Sequence, residues 1–84
     1  LGGMLYVVSL PIGNPDDLST RARRTLMIVD RVAAEDTRVA RALLRELGID
    51  KPLLSCHDQN ERVRVKPILA ALERGERLVH VMLV

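Results

Sequence analysis

Apolar residues recur along this chain in two rhythms that take turns. The first is a short run, Leu5-Tyr6-Val7-Val8-Ser9-Leu10, which breaks into Pro11-Ile12-Gly13-Asn14-Pro15. Adjacent valines and a turn-forming stop predict a buried strand. Leu18, Ala22, Leu26 and Val29 follow at spacings of four, four and three, one face of a helix that Asp16 or Asp17 would cap. A second strand is predicted at Arg31-Val32-Ala33-Ala34-Glu35. The next helix, capped by Asp36 or Thr37, carries the stripe Ala40, Leu43, Leu44, Leu47 and closes at Gly48. Leu53-Leu54-Ser55-Cys56 gives a third strand. A third helix with Val65, Ile68, Leu69 and Leu72 ends at Gly75. Pro67 costs a helix interior one hydrogen bond, so that helix is expected to begin near Lys66 or to kink there. Residues 78–84 form a fourth strand, apolar except for His80.

The order β-α-β-α-β-α-β predicts an α/β fold, a parallel sheet with helices on its faces. All strand exits of such a sheet lie along one edge, where open α/β sheets hold ligands. Three loops should therefore meet there: Pro11, Ile12, Gly13 and Asn14; Glu35, Asp36, Thr37 and Arg38; and His57 to Arg62, including Asn60, Glu61 and Arg62. The prolines stiffen the first loop, and Gly13 permits backbone angles or close approaches that a Cβ would block. This loop is not the G-x-G-x-x-G dinucleotide fingerprint.

Composition narrows the chemistry. Eighty-four residues make one small domain with a modest, aliphatic core. One Tyr and no Phe or Trp leave no base-stacking platform for single-stranded RNA. The net charge is only +2, although eleven arginines against two lysines tilt the surface basic. Arg21, Arg23 and Arg24 lie off the apolar stripe and suit either solvent or a polyanion. The single Cys56 allows no internal disulfide and fits a reducing compartment, so a cytoplasmic protein is expected. Leu1-Gly2-Gly3 before Met4 reads as a tag remnant, leaving 4–84 as the domain.

Several site chemistries can be weighed on residue types. His57, Asp58, Glu35 and Asp36 are metal-ligand types, but without a His-x-x-x-His or a cysteine pair no metal is expected. Cys56 and His57 are strand neighbours pointing to opposite faces, which argues against a Cys–His nucleophile. Asp16 and Asp17 would repel an anion from the first helix, so the acids here suit a ribose hydroxyl, an amine or a sulfonium instead of a phosphate. Asp36 is equally well explained as a helix cap, Asn60 to Arg62 as a polar helix start, and His80 as a packed histidine.

The same residues carry a resemblance. Tyr6-Val7-Val8 with Pro11-Ile12-Gly13-Asn14, then Ala33-Ala34-Glu35-Asp36-Thr37-Arg38, then Leu54-Ser55, His57 and Asn60-Glu61-Arg62, resemble the start of the ribosomal RNA small-subunit methyltransferase I family, within the tetrapyrrole methylase superfamily. The resemblance runs from Met4 to about Val81. It implies a cytoplasmic enzyme that uses S-adenosylmethionine to methylate the ribose 2′-hydroxyl of a cytidine in small-subunit ribosomal RNA. The family has two α/β domains with the donor in the cleft between them. By this analogy Pro11 to Asn14 and Glu35 to Arg38 line the cofactor and substrate cleft, and Asn60, Glu61 and Arg62 face the RNA. Glu35, Asp36 and His57 are the candidates for a general base. A corrin or porphyrin methylase of the same superfamily, or a non-catalytic RNA-binding or assembly module, are the competing readings.

Where the family continues its fourth strand into a Ser-Asp-Ala-Gly-Thr-Pro type loop, this chain reads Met82-Leu83-Val84. The resemblance thus implies an N-terminal domain without its C-terminal partner, catalytically incompetent alone. It is also expected to self-associate, as a homodimer or otherwise, through an exposed fourth strand or an uncovered sheet face.

Overall fold

A computed structural model describes residues 2–57 and 59–84; Leu1 and Asp58, one of the ligand types named above, lie outside the described residues. Four strands, β1 (Met4–Leu10), β2 (Arg31–Ala34), β3 (Leu53–Ser55) and β4 (Arg77–Leu83), alternate with three helices, α1 (Thr20–Ile28), α2 (Thr37–Glu46) and α3 (Glu61–Glu73). All pairings are parallel, in the order β1-β4-β2-β3. The α/β expectation holds. The fourth strand is not an edge, however: β4 sits between β1 and β2, and the free edges belong to β1 and β3. Self-association through the edge of β4 is thereby excluded, because both of its sides already carry ladder hydrogen bonds.

Strand alternation divides the sheet into two unequal faces. Val8, Leu10, Val32, Ala34, Val79 and Val81 face α1 and α2, where Leu26, Val29, Ala40, Leu44 and Ile49 complete the larger core. Ala33, Cys56 and Leu78 face α3, which contributes Ile68 and Ala71. The predicted stripes of α1 and α2 therefore point inward. The α3 stripe does so only in part, since Val65 and Leu69 are exposed while Ile68 is buried.

Helix ends follow local chemistry. Ser19, not Asp16 or Asp17, caps α1, its hydroxyl accepting from the Ala22 N–H at 3.0 Å. The two aspartates are taken up in a 3₁₀ turn (Pro15–Asp17) begun by Asn14, whose side chain accepts from the Asp16 N–H at 3.0 Å. Asp36 caps α2 and Asn60 caps α3. The α3 helix starts six residues before Pro67 and continues through it, so the start expected at Lys66 is corrected. Its Asn60 cap and its seat on the sheet offset the one N–H that Pro67 cannot donate to the Val63 carbonyl.

At the other ends, Gly48 and Gly75 adopt φ of +75° and +83°. Each supports a Schellman closure, with Ile49 N–H donating to Leu44 O (2.9 Å) and Glu76 N–H to Ala71 O (3.1 Å).

The strand-start edge, opposite the exits, is tied by charge. Asp30 accepts from the Arg77 N–H at 2.7 Å, and the Glu76 carboxylate holds Arg31 at 2.9 Å and Arg74 at 2.8 Å. Gly3 belongs to this edge. A Cβ there would collide with the backbone of Leu72 and lie 3.0 Å from Glu76 O, while the next residue, Met4, donates its N–H to that same oxygen.

Candidate functional site

Parallel pairing brings every strand exit to one edge, in the order of the strands. The loop after β1 lies beside the end of β4, to which it is bonded: Ile12 N–H donates to Val84 O at 3.0 Å, and Val84 N–H to Leu10 O at 3.1 Å. The exit of β2 comes next. There Glu35 and Asp36 join His80, Val81, Met82 and Leu83 around a pocket of about 270 Å³. Two carboxylates thus stand over a floor that is apolar apart from His80.

Those two acids are held differently. Asp36 Oδ1 accepts from the N–H groups of Arg38 (3.0 Å) and Val39 (3.3 Å), satisfying two donors of the first turn of α2. One of its oxygens is committed to the fold, and the other accepts no hydrogen bond among the described residues. Glu35 makes no hydrogen bond or ion pair among the described residues, and its side chain stands where two pockets meet. Arg38 extends into solvent, 94% exposed along its side chain, 3.9 Å from Asp36. Thr37 is half-buried at the start of α2.

The third loop falls elsewhere on the edge. Asn60 to Arg62 begin α3 after β3, three strand spacings from β1, or about 14 Å. His57 lines a pocket of about 220 Å³ with Cys56, Arg64 and Pro67, and Cys56 and Arg64 also border the neighbouring pocket that Glu35 lines. Cys56 is buried, and burial, with the Glu35 carboxylate nearby, pushes its thiol above the ordinary value. A raised thiol is a packed side chain and a poor nucleophile.

Gly13 is neither at positive φ nor crowded, since nothing within the chain lies within 4 Å of where its Cβ would be. The conformational need anticipated for this glycine is therefore absent from the fold. Sequence reasoning missed His80 as a lining residue. It projects from the central strand between the two pockets, and its Nε2 is buried with no hydrogen-bond partner among the described residues. A lone histidine in an apolar strand was the available signal.

A sequence profile for the family described as Tetrapyrrole (Corrin/Porphyrin) Methylases matches residues 4–83, nearly the whole described fold. The chain belongs to the tetrapyrrole methylase family. Among curated relatives it is similar to proteins named Ribosomal RNA small subunit methyltransferase I. It is 49% identical over 74 residues to that of Pseudomonas aeruginosa, covering 88% of this chain and 26% of the relative. It is 45% identical over 76 residues to that of Thermotoga maritima (90% and 34%), and 43% identical over 76 residues to that of Escherichia coli O157:H7 (90% and 27%). The chain thus spans about a quarter to a third of the length of these relatives. Among the described residues no helix is long and apolar enough to cross a membrane, and no three His, Cys, Asp or Glu side chains gather as metal ligands.

Proposed function

We propose that this chain is one wall of the active cleft of a methyltransferase that acts on small-subunit ribosomal RNA. The specific reaction proposed is transfer of a methyl group from S-adenosylmethionine to the ribose 2′-hydroxyl of a cytidine. The reading is supported most by one juxtaposition: Glu35 and Asp36 over the apolar end of β4, beside the Pro11–Asn14 loop, in a chain similar to rRNA methyltransferases along most of its length. That the similar proteins are named for ribosomal RNA favours RNA over a tetrapyrrole as substrate.

The residues suit the donor in part. Carboxylates accept from ribose hydroxyls and from an amino group and attract a sulfonium, and the apolar floor suits a heterocycle. At about 270 Å³ the pocket falls just below the range that encloses an organic ligand, roughly 300–1,000 Å³, in keeping with one wall of a larger cleft. S-adenosylmethionine supplies an activated methyl group when bound. The chain's own part is orientation, with Glu35 as the general base: its carboxylate has no competing hydrogen bond among the described residues, whereas Asp36 is half committed as a cap and His57 lines a different pocket. Asn60, Glu61 and Arg62, displaced toward β3, then meet the RNA, with a cytoplasmic setting and self-association of this chain, as a homodimer or otherwise, through the uncovered sheet face as parts of the same proposal.

Calorimetric titration of S-adenosylmethionine into the 84-residue chain, at two temperatures, tests the donor half. Saturable heat lost in Glu35→Gln supports the cleft assignment, and the absence of heat at both temperatures means that this wall alone does not hold the donor. Methyl transfer to purified small ribosomal subunits by the isolated chain is expected to be undetectable; turnover there would refute the one-wall reading.

A further inference from the structure

Arg38, Arg41 and Arg45 fall at i, i+3 and i+7 of α2 and so share one flank of the helix. Contacts identify that flank. Arg41 and Arg45 border a surface hollow with Leu53 of β3, while α1 lies on the other side, where Arg23 Nη1 donates to Leu47 O at 3.1 Å. The three arginines therefore face the β3 edge, away from α1, and all are exposed. The hollow measures only about 10 Å³, far too small to enclose a ligand, so this surface is a ridge and not a pocket.

The cations of the ridge are unspent. Elsewhere the fold uses its arginines: Arg31 and Arg74 hold Glu76 at 2.9 and 2.8 Å, and Arg64 meets Glu61 at 3.6 Å. Arg41 and Arg45 make no ion pair among the described residues, and Arg38 has only its 3.9 Å approach to Asp36. Glu46 points about 100° round the helix from Arg45, and Asp50, which borders the hollow, pairs with neither arginine. Arg41 and Arg45, four positions apart, repel each other until anions lie between them. Phosphate suits arginine in particular, because the planar guanidinium meets two of its oxygens at once. A lipid surface would need apolar side chains beside the cations, and the apolar face of α2 is buried through Ala40 and Leu44.

We propose that the RNA strand flanking the target nucleotide leaves the cleft along this ridge, its phosphates pairing with Arg38, Arg41 and Arg45 in turn. Arg38 stands two residues past Asp36, at the rim of the carboxylate-lined pocket, and α2 carries the last of the three about 10 Å down the side of the domain. Contacts of this kind fix the register of the strand and read no sequence. The ridge rests on the reading of the substrate as RNA, and not on which atom receives the methyl group.

The test is fluorescence anisotropy of the 84-residue chain with a labelled RNA hairpin lacking unpaired cytidines, from about 50 to about 200 mM salt. Arg41→Gln with Arg45→Gln is compared with Arg21→Gln with Arg24→Gln, which removes the same charge from exposed positions of α1. Circular dichroism checks that both variants keep their helices. Loss of two phosphate contacts lowers the salt slope by about 1.4–1.8, so the deficit of the α2 variant is expected to shrink by about 7–12-fold across that range. The α1 variant is expected to keep the parent's slope. Equal losses in the two variants would overturn the ridge, since net charge alone would then attract the RNA. So would an α2 variant that binds as the parent does, or a parent that binds no RNA at low salt. Calorimetry with S-adenosylmethionine keeps the two proposals apart. Donor binding beside an α2 variant of parental RNA affinity overturns only the ridge, and arginine-dependent RNA binding without donor binding counts only against the cleft.

Discussion

Replacing Asp36 separates what this residue does for the fold from what it does for a ligand. Its Oδ1 accepts two backbone N–H groups at the start of α2, at 3.0 and 3.3 Å, and the side chain is only half-buried. Asp36→Ala strands those donors and removes a negative charge from the positive end of the helix, at a cost of about 1 kcal/mol, within a usual span of roughly 0.5–2. For a domain of this size, about 1 kcal/mol lowers Tm by roughly 4–8 °C. Asp36→Asn keeps an accepting oxygen and should melt within a degree or two of the parent. Thermal unfolding followed by circular dichroism reads both variants. Donor affinity, measured on the same two proteins, should then fall in Asp36→Asn as well as in Asp36→Ala if the free carboxylate oxygen meets a donor group of the ligand. An Asp36→Ala protein that melts with the parent would refute the capping argument. An Asp36→Asn protein that binds like the parent would remove this carboxylate from the cleft.

Gly3→Ala pushes a methyl group into the backbone of Leu72, which cannot swing aside like a side-chain tip; a loss of about 1–3 kcal/mol is expected in urea unfolding. Gly13→Ala meets nothing within 4 Å and should leave stability unchanged or raise it by about 0.4–1 kcal/mol, so a loss of donor binding in that variant would locate the ligand against this loop. Cys56 should react slowly with iodoacetamide, its rate rising only above the ordinary thiol range, and Glu35→Gln should speed the reaction by removing one of the causes that raise the thiol. The sign for stability follows. A folded thiol with a raised pKa holds its proton longer than the unfolded one, so its contribution is present at neutral pH and is lost as pH rises through the folded value, detectable as a larger fall in Tm from neutral to alkaline pH in the parent than in Cys56→Ala.

The elements themselves were legible because their signals are local. Leu26, Ala40 and Leu44 sit at helical spacing and are buried, and Gly48 and Gly75 close their helices as their positions suggest. The cap of α1 was misread because three acceptors compete within four residues. Asn14 captures Asp16 in a turn, and that delays the helix until Ser19. Pro67 misled for a related reason: a local penalty is overridden by tertiary seating of Ile68 and Ala71 on the sheet. Strand order was out of reach, because parallel partners are chosen by helix packing across the whole sheet. Of the site, Glu35 and Asp36 could be foreseen as converging with the first loop once the sheet is parallel. The distance of Asn60 to Arg62 from that loop depends on β3 being the far edge, and no residue pattern reports it.

The central place of β4 has a consequence for how the molecule comes into being. β1 and β2 never touch through backbone bonds; each pairs with β4, and Met4 meets Arg77 across 73 intervening steps of chain. Until residues 77–83 are available, the sheet is two unconnected pieces, one strand alone and one parallel pair. Neither piece can bury its larger-core face, since Val79 and Val81 bridge them. Folding of this unit is therefore a keystone process. A nascent chain gains little from its first seventy residues, and then nearly everything at once when one seven-residue segment slides between strands made long before it.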